Sequence, residues 1–160
     1  MFKDCPYFTN DDDFMTPKSA WEDISQYIPK NKVIWECFYG DGRSGAYLRE
    51  LGFEVIHENI DFFENNLGDI LVSNMPYSIK KEVFTRLKKI DKPFVMLVPT
   101  TTLHTKYFKN LFENDRIQVI LPYKKRQFSS NKKALKKSGC SFYTCYICYK
   151  MNLPKDIILL

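Results

Sequence analysis

A chain of 160 residues, 44% apolar and 27% charged, has the make-up of one globular domain, residues 1–160, able to bury a substantial core. Its formal net charge of +5 leans toward an anionic partner such as nucleic acid. No apolar run approaches a membrane span and Met1–Pro6 is no secretory signal. The odd count of five cysteines fits a reducing, cytoplasmic setting.

The first fifteen residues are polar and irregular, with an acidic run at Asp11-Asp12-Asp13. Thr16-Pro17 predicts a helix start, with Thr16 as N-cap and Pro17 in the first turn, running to about Tyr27. Lys32 to Phe38 reads as a buried strand and Tyr39 to Gly45 as a glycine-rich turn. A helix is expected through Leu51, with Gly52 as its C-cap. Strands are expected at 53–57 and 69–73, a helix at 79–90, a strand at 93–98 and a helix at 103–112. Strands at 117–121 and 141–149 complete the pattern.

Short apolar strands alternating with helices predict an α/β fold of the Rossmann-like kind, a mainly parallel sheet with helices on both faces. In such sheets ligands bind outside the carboxyl ends of the strands. Two unusual stretches, Glu36–Gly45 and Asn74–Ser78, fall at such ends.

Residues 40–45, Gly-Asp-Gly-Arg-Ser-Gly, match the dinucleotide pattern GxGxxG. The Lys-Ser/Thr pair of a phosphate loop is missing. Glu36, four residues before Gly40, suits an amine and repels a pyrophosphate. Glu58, ending the next strand, suits a ribose diol. Glycines at 40 and 42 let the backbone approach a ligand closely, and Asp61 and Phe62 are placed to hold and cover an adenine ring. A carboxylate for an amine, another for ribose and a close backbone together describe S-adenosylmethionine. A nucleotide-cofactor oxidoreductase stays open on the glycine pattern alone.

Asn74-Met75-Pro76-Tyr77 follows the third strand. The exocyclic amine of adenine is a poor nucleophile, because its lone pair is delocalised into the ring. The amide oxygen of Asn74 and the carbonyl of Met75 can both accept its N–H bonds and free that lone pair. Pro76 stiffens the turn, and Tyr77 offers a ring for a base to stack on. Positioning does most of the work.

Asn-x-Pro-Tyr after a strand resembles motif IV of the class I, S-adenosylmethionine-dependent N6-adenine methyltransferases, the Dam-like group whose usual form is Asn/Asp-Pro-Pro-Tyr/Phe. Glu36-Cys37-Phe38-Tyr39-Gly40-Asp41-Gly42 resembles their motif I, Glu58 the acid of motif II, and Asp61-Phe62 motif III. Phe14-Met15-Thr16-Pro17 resembles motif X, which lines the methionine end of the cofactor. The resemblance covers roughly residues 14–128. It implies that Thr16, Pro17, Glu36, Phe38, Gly40, Gly42, Glu58, Asp61, Phe62 and Asn74 contact S-adenosylmethionine. It implies that Asn74, Met75, Pro76 and Tyr77 handle the base. Met75 departs from the commoner proline; ribosomal RNA adenine dimethyltransferases carry Leu or Ile there, so DNA, slightly preferred here, and RNA both remain open.

Lys124-Lys125-Arg126, Lys132-Lys133 and Lys136-Lys137 form a basic run read as a nucleic-acid contact loop against the alternative of a solvated one. Phe128 within it packs or stacks. Cys145 and Cys148 lie three apart on an expected strand, so they point to opposite faces and do not form a zinc pair; no metal site is expected. His57 and His104 stand apart and read as structural or surface residues. The sequence thus predicts methyl transfer to N6 of adenine in nucleic acid, with the basic loop, the N-terminal segment or a protein partner (a second copy included) supplying recognition. The rival reading is a methyltransferase-like binding subunit that does no chemistry.

Overall fold

The computed structural model describes residues 14–128 and 142–160. Among the described residues seven strands form one sheet: β1 (Val33–Trp35), β2 (Glu54–Ile56), β3 (Ile70–Asn74), β4 (Phe94–Pro99), β5 (Ile117–Leu121), β6 (Thr144–Tyr149) and β7 (Ile157–Leu159). Their order is β2-β1-β3-β4-β6-β5-β7. Every pairing is parallel except those of β6, which runs antiparallel between β4 and β5.

Side-chain alternation along each strand feeds two cores. Ile34, Ile70, Val72, Val95, Leu97 and Tyr146 face one side, with Trp21 and Ile24 from the N-terminal segment and Leu48. That side carries α1 (Lys18–Glu22) and α2 (Arg43–Glu50). Trp35, Leu71, Phe94, Met96 and Ile147 face the other. There Val83, Phe84 and Leu87 of α3 (Lys80–Ile90) and Phe108 and Phe112 of α4 (Lys106–Phe112) close the layer. The molecule is therefore a Rossmann-like three-layer α/β fold. Cys145 and Cys148 enter opposite cores, as strand geometry requires.

Several expected boundaries move. The helix expected from Thr16 to Tyr27 is one short turn, α1, followed by a 3-10 turn at Ser25–Tyr27. Burial of Trp21, Ile24 and Ile28 holds the segment down without a continuous helix. The N-cap position falls on Pro17 rather than Thr16, and the Thr16 hydroxyl accepts from Asn74 of the third strand instead. Residues 103–112 divide into a 3-10 turn, Thr100–His104, and α4, whose N-cap Thr105 accepts from the Phe108 N–H. The last strand, β7, has no counterpart in the expected pattern.

β1 and β3 are neighbours, yet β1 is followed by β2 on one side while the chain continues outward from β3 on the other. This reversal is the switch point at which open α/β sheets form a crevice. Gly68, at φ +63°, brings the chain into β3, and a Cβ there would stand 3.0 Å from the Trp35 nitrogen and the Val33 oxygen. Asp69 pins the entry: its N–H donates to the Val33 carbonyl and its carboxylate accepts from the Val33 N–H, both at 2.8 Å.

Candidate active site

The carboxyl ends of β1 and β3 carry the two unusual stretches, and the fold brings residues 14–16 against both. A Cβ built at Gly40 would meet Met15 Sδ at 3.9 Å. The Phe14 ring stacks on Tyr77, with centroids 6.1 Å apart and planes 27° apart. The Asn74 Nδ2–H donates to Thr16 Oγ1 at 2.9 Å. That bond fixes the amide plane and leaves Asn74 Oδ1 buried with no hydrogen-bond partner among the described residues. Buried acceptors are almost always satisfied, and Asn74 Oδ1, at the carboxyl end of β3, is an acceptor that the described residues leave unsatisfied.

After Asn74 the chain turns at once. Met75 is 2% exposed and packs in the α3–α4 core. Pro76 is buried, with φ −61° and ψ 123°, ahead of a 3-10 turn at Tyr77–Ile79. The Tyr77 ring also meets Phe142 edge-on at 5.6 Å. Phe14 makes edge contacts with Phe128 and Phe142 at 5.9 and 6.1 Å. An aromatic wall drawn from four separate segments thus stands beside Asn74. The sequence gives no sign of Phe142 as a member, since its place depends on the reversed β6.

The glycine turn follows β1. Gly40 and Gly42 have φ of +60° and +84°, the left-handed region open to glycine. The Gly42 N–H donates to the Tyr39 carbonyl at 3.0 Å, and the Asp41 carboxylate accepts from the Arg43 N–H at 3.1 Å. Gly45 has a different reason: a Cβ there would lie 2.1 Å from His57 Nδ1. The third glycine of the GxGxxG match is explained by helix–strand packing, and no pyrophosphate is needed to account for it.

Glu36 does not stand open to a ligand amine. It is 2% exposed. Its carboxylate accepts from the Ser73 hydroxyl and from the Phe38 N–H at 3.3 Å. His57 Nε2 lies 2.8 Å away, off the line of the N–H bond. Glu36 therefore works one layer beneath the loop. His57, read from the sequence as isolated, is its partner; only the pairing of β1 with β2 brings them together.

Glu58 is exposed, two residues beyond β2, at the same sheet end. The Asp61 carboxylate accepts from the Phe63 N–H at 2.7 Å. Phe62 is buried against Trp35, Phe38 and Phe63, with centroids 5.0–5.7 Å apart, so that ring is core. Phe38 and Phe63 are only partly buried beside it. Pro17 is half-buried ahead of α1.

The basic run divides. Lys124 and Lys125 are exposed, with their ammonium groups 4.9 and 5.1 Å from the ring centres of Tyr123 and Tyr143. Arg126, expected to contact phosphates, is turned inward and 9% exposed. Its guanidinium donates to Asp23 at 2.6 Å and to the Tyr146 hydroxyl at 2.9 Å. Tyr146 in turn donates to the Ala20 carbonyl at 2.6 Å. Lys132 and Lys133 lie outside the described residues.

No family model matches the chain, and no curated protein matches it. Among solved structures it is similar to a protein of Listeria monocytogenes described as a class I S-adenosylmethionine-dependent methyltransferase. That match has 13% identity and a TM-score of 0.49, covering 99% of this chain and 68% of the other. A precorrin-6y C5,15-methyltransferase of Geobacter metallireducens matches at 13% identity and TM-score 0.47, over 89% and 98%. A dimethyladenosine transferase of Plasmodium falciparum matches at 10% identity and TM-score 0.48, over 85% and 62%. The fold stands on the chain's own sheet order, and the reading below on its own side chains.

Proposed function

We propose that the chain is an S-adenosylmethionine-dependent methyltransferase acting on the exocyclic amine of adenine in nucleic acid. The observation that carries the reading is Asn74: an amide locked by Thr16 on one side, with its oxygen buried and unpartnered on the other. A donor of two N–H bonds fits there, one for Asn74 Oδ1 and one for the carbonyl of Met75. Accepting both draws the nitrogen toward tetrahedral geometry and frees its lone pair.

The residues present fit the methyl donor. The left-handed turn at Gly40 and Gly42 brings backbone close to a ligand. Glu58 offers an exposed carboxylate for a ribose diol. Thr16, Asn74 and Met15 border the space between the two strand ends. Bound S-adenosylmethionine supplies an electrophilic methyl group. The chain supplies orientation, which alone accounts for a large part of such rate enhancements.

S-adenosylmethionine and S-adenosylhomocysteine should each raise the melting temperature, since a ligand of the native state stabilises it by about 2.7 kcal/mol at a hundred times its Kd. Glu58→Ala should reduce the shift. An unchanged melting curve at saturating concentrations of both compounds contradicts the reading.

A further inference from the structure

We infer that His57 is a positioning residue of the cofactor loop: in its uncharged form it fastens the first turn of α2 to the carboxylate that joins the ends of β1 and β3. The loop's ligand rests on the function proposed above; the fastening itself does not.

Three residues meet this imidazole, and a fourth, Ser73, reaches it through Glu36. The Gly45 N–H of α2 donates to Nδ1 at 3.1 Å. Glu36, just past β1, sits 2.8 Å from Nε2 and also accepts from Ser73 of β3. The Tyr39 ring of the glycine turn lies against the imidazole, with centroids 4.9 Å apart. The His57 and Glu36 side chains are 1% and 2% exposed. The cluster is not a nucleophilic triad. Ser73 and His57 both address the same carboxylate, so the imidazole has no path to the Ser73 proton.

Nδ1 accepts the Gly45 N–H only while it carries no proton. A proton there would set two N–H groups against each other across 3.1 Å, and the start of α2 would have to withdraw. The charges facing His57 pull in opposite directions. Burial, the largest influence, disfavours the imidazolium and Arg49 of α2 adds to that. The Glu36 carboxylate, 2.8 Å from Nε2, and the Phe38 backbone outweigh both and hold the imidazole pKa above its ordinary 6.5. The fastening therefore closes as pH rises through the imidazole pKa and opens as pH falls below it. A ligand that needs the closed loop must bind the unprotonated form, so it expels a proton on binding.

Hydrogen exchange at the Gly45 amide of the ligand-free protein reads the fastening directly. Its protection factor should rise between pH 5.5 and 8. His57→Asn places a non-titrating oxygen near the Nδ1 position and should keep Gly45 protected across that range. His57→Gln reaches toward Glu36 and should leave Gly45 unprotected throughout. Calorimetry with S-adenosylhomocysteine, in buffers of different ionisation heat, should show the wild type releasing up to about one proton more than His57→Asn. Its affinity should fall by up to about tenfold per pH unit on the acid side. A Gly45 protection factor independent of pH in the wild type overturns the inference, and that measurement needs no variant to fold. Titrating protection with no binding of S-adenosylhomocysteine at any pH supports the fastening and removes the cofactor reading instead.

Discussion

Asn74 presents a free oxygen because Thr16 occupies its nitrogen. Thr16→Ser keeps the acceptor and should keep methyl transfer. Thr16→Val removes it, freeing the amide to rotate, and should lower kcat by about 2- to 10-fold, the worth of one hydrogen bond. Steady-state kinetics with a fixed nucleic-acid substrate checks this; equal kcat in both variants would show that Thr16 does not orient the amide. Met75 has two separate jobs. In the proposed function its carbonyl accepts from the amine, while its side chain fills the core against α3 and α4. Met75→Leu conserves volume and should cost less than about 1.5 kcal/mol, whereas Met75→Ala should cost about 2–5 kcal/mol. Neither should change kcat much, since neither moves the carbonyl. Urea unfolding beside initial rates separates the two jobs.

At the scale of elements, periodicity revealed strand and helix wherever one side chain in two or four had to be buried. β5 lies where the alternation of Ile117–Leu121 puts it, and α3 begins within a residue of its expected start. β7 was not legible: Ile157–Leu159 is three residues long, and its pairing with β5 is a long-range fact. Of the candidate site, residue type and strand ends pointed to Asn74, the glycine turn and Glu58. The Glu36–His57 contact depends on which strands adjoin, and the inward turn of Arg126 depends on Asp23 and Tyr146 being near. Gly45 shows the same limit, since its reason for being glycine is the imidazole on β2's far end. Gly45→Ala should destabilise by about 1–3 kcal/mol through overpacking. Adding His57→Ala should recover part of that, giving a non-additive double-mutant cycle. Additive losses in denaturant unfolding would mean that the two positions do not meet.

Across the whole molecule, Asn74 and the glycine turn beside the switch point and the exposed lysines after β5 lie toward the carboxyl end of the parallel strands. Nucleic-acid affinity should fall with salt, and Lys124→Ala with Lys125→Ala should flatten the slope of log K against log salt by about one to two. Arg126→Ala should act differently. It strips a partner from the buried Tyr146 hydroxyl and from the partly exposed Asp23, and should cost about 1–3 kcal/mol of stability. A salt slope untouched by the lysine changes would return them to ordinary surface.

The most direct test of the account is mass spectrometry of nucleosides after the protein is incubated with methyl-labelled S-adenosylmethionine and mixed adenine-containing DNA and RNA. The label should appear on N6 of adenine with the wild type and be absent with Asn74→Ala, at equal folded protein. Label confined to any other position, or undiminished N6 label with Asn74→Ala, would contradict it.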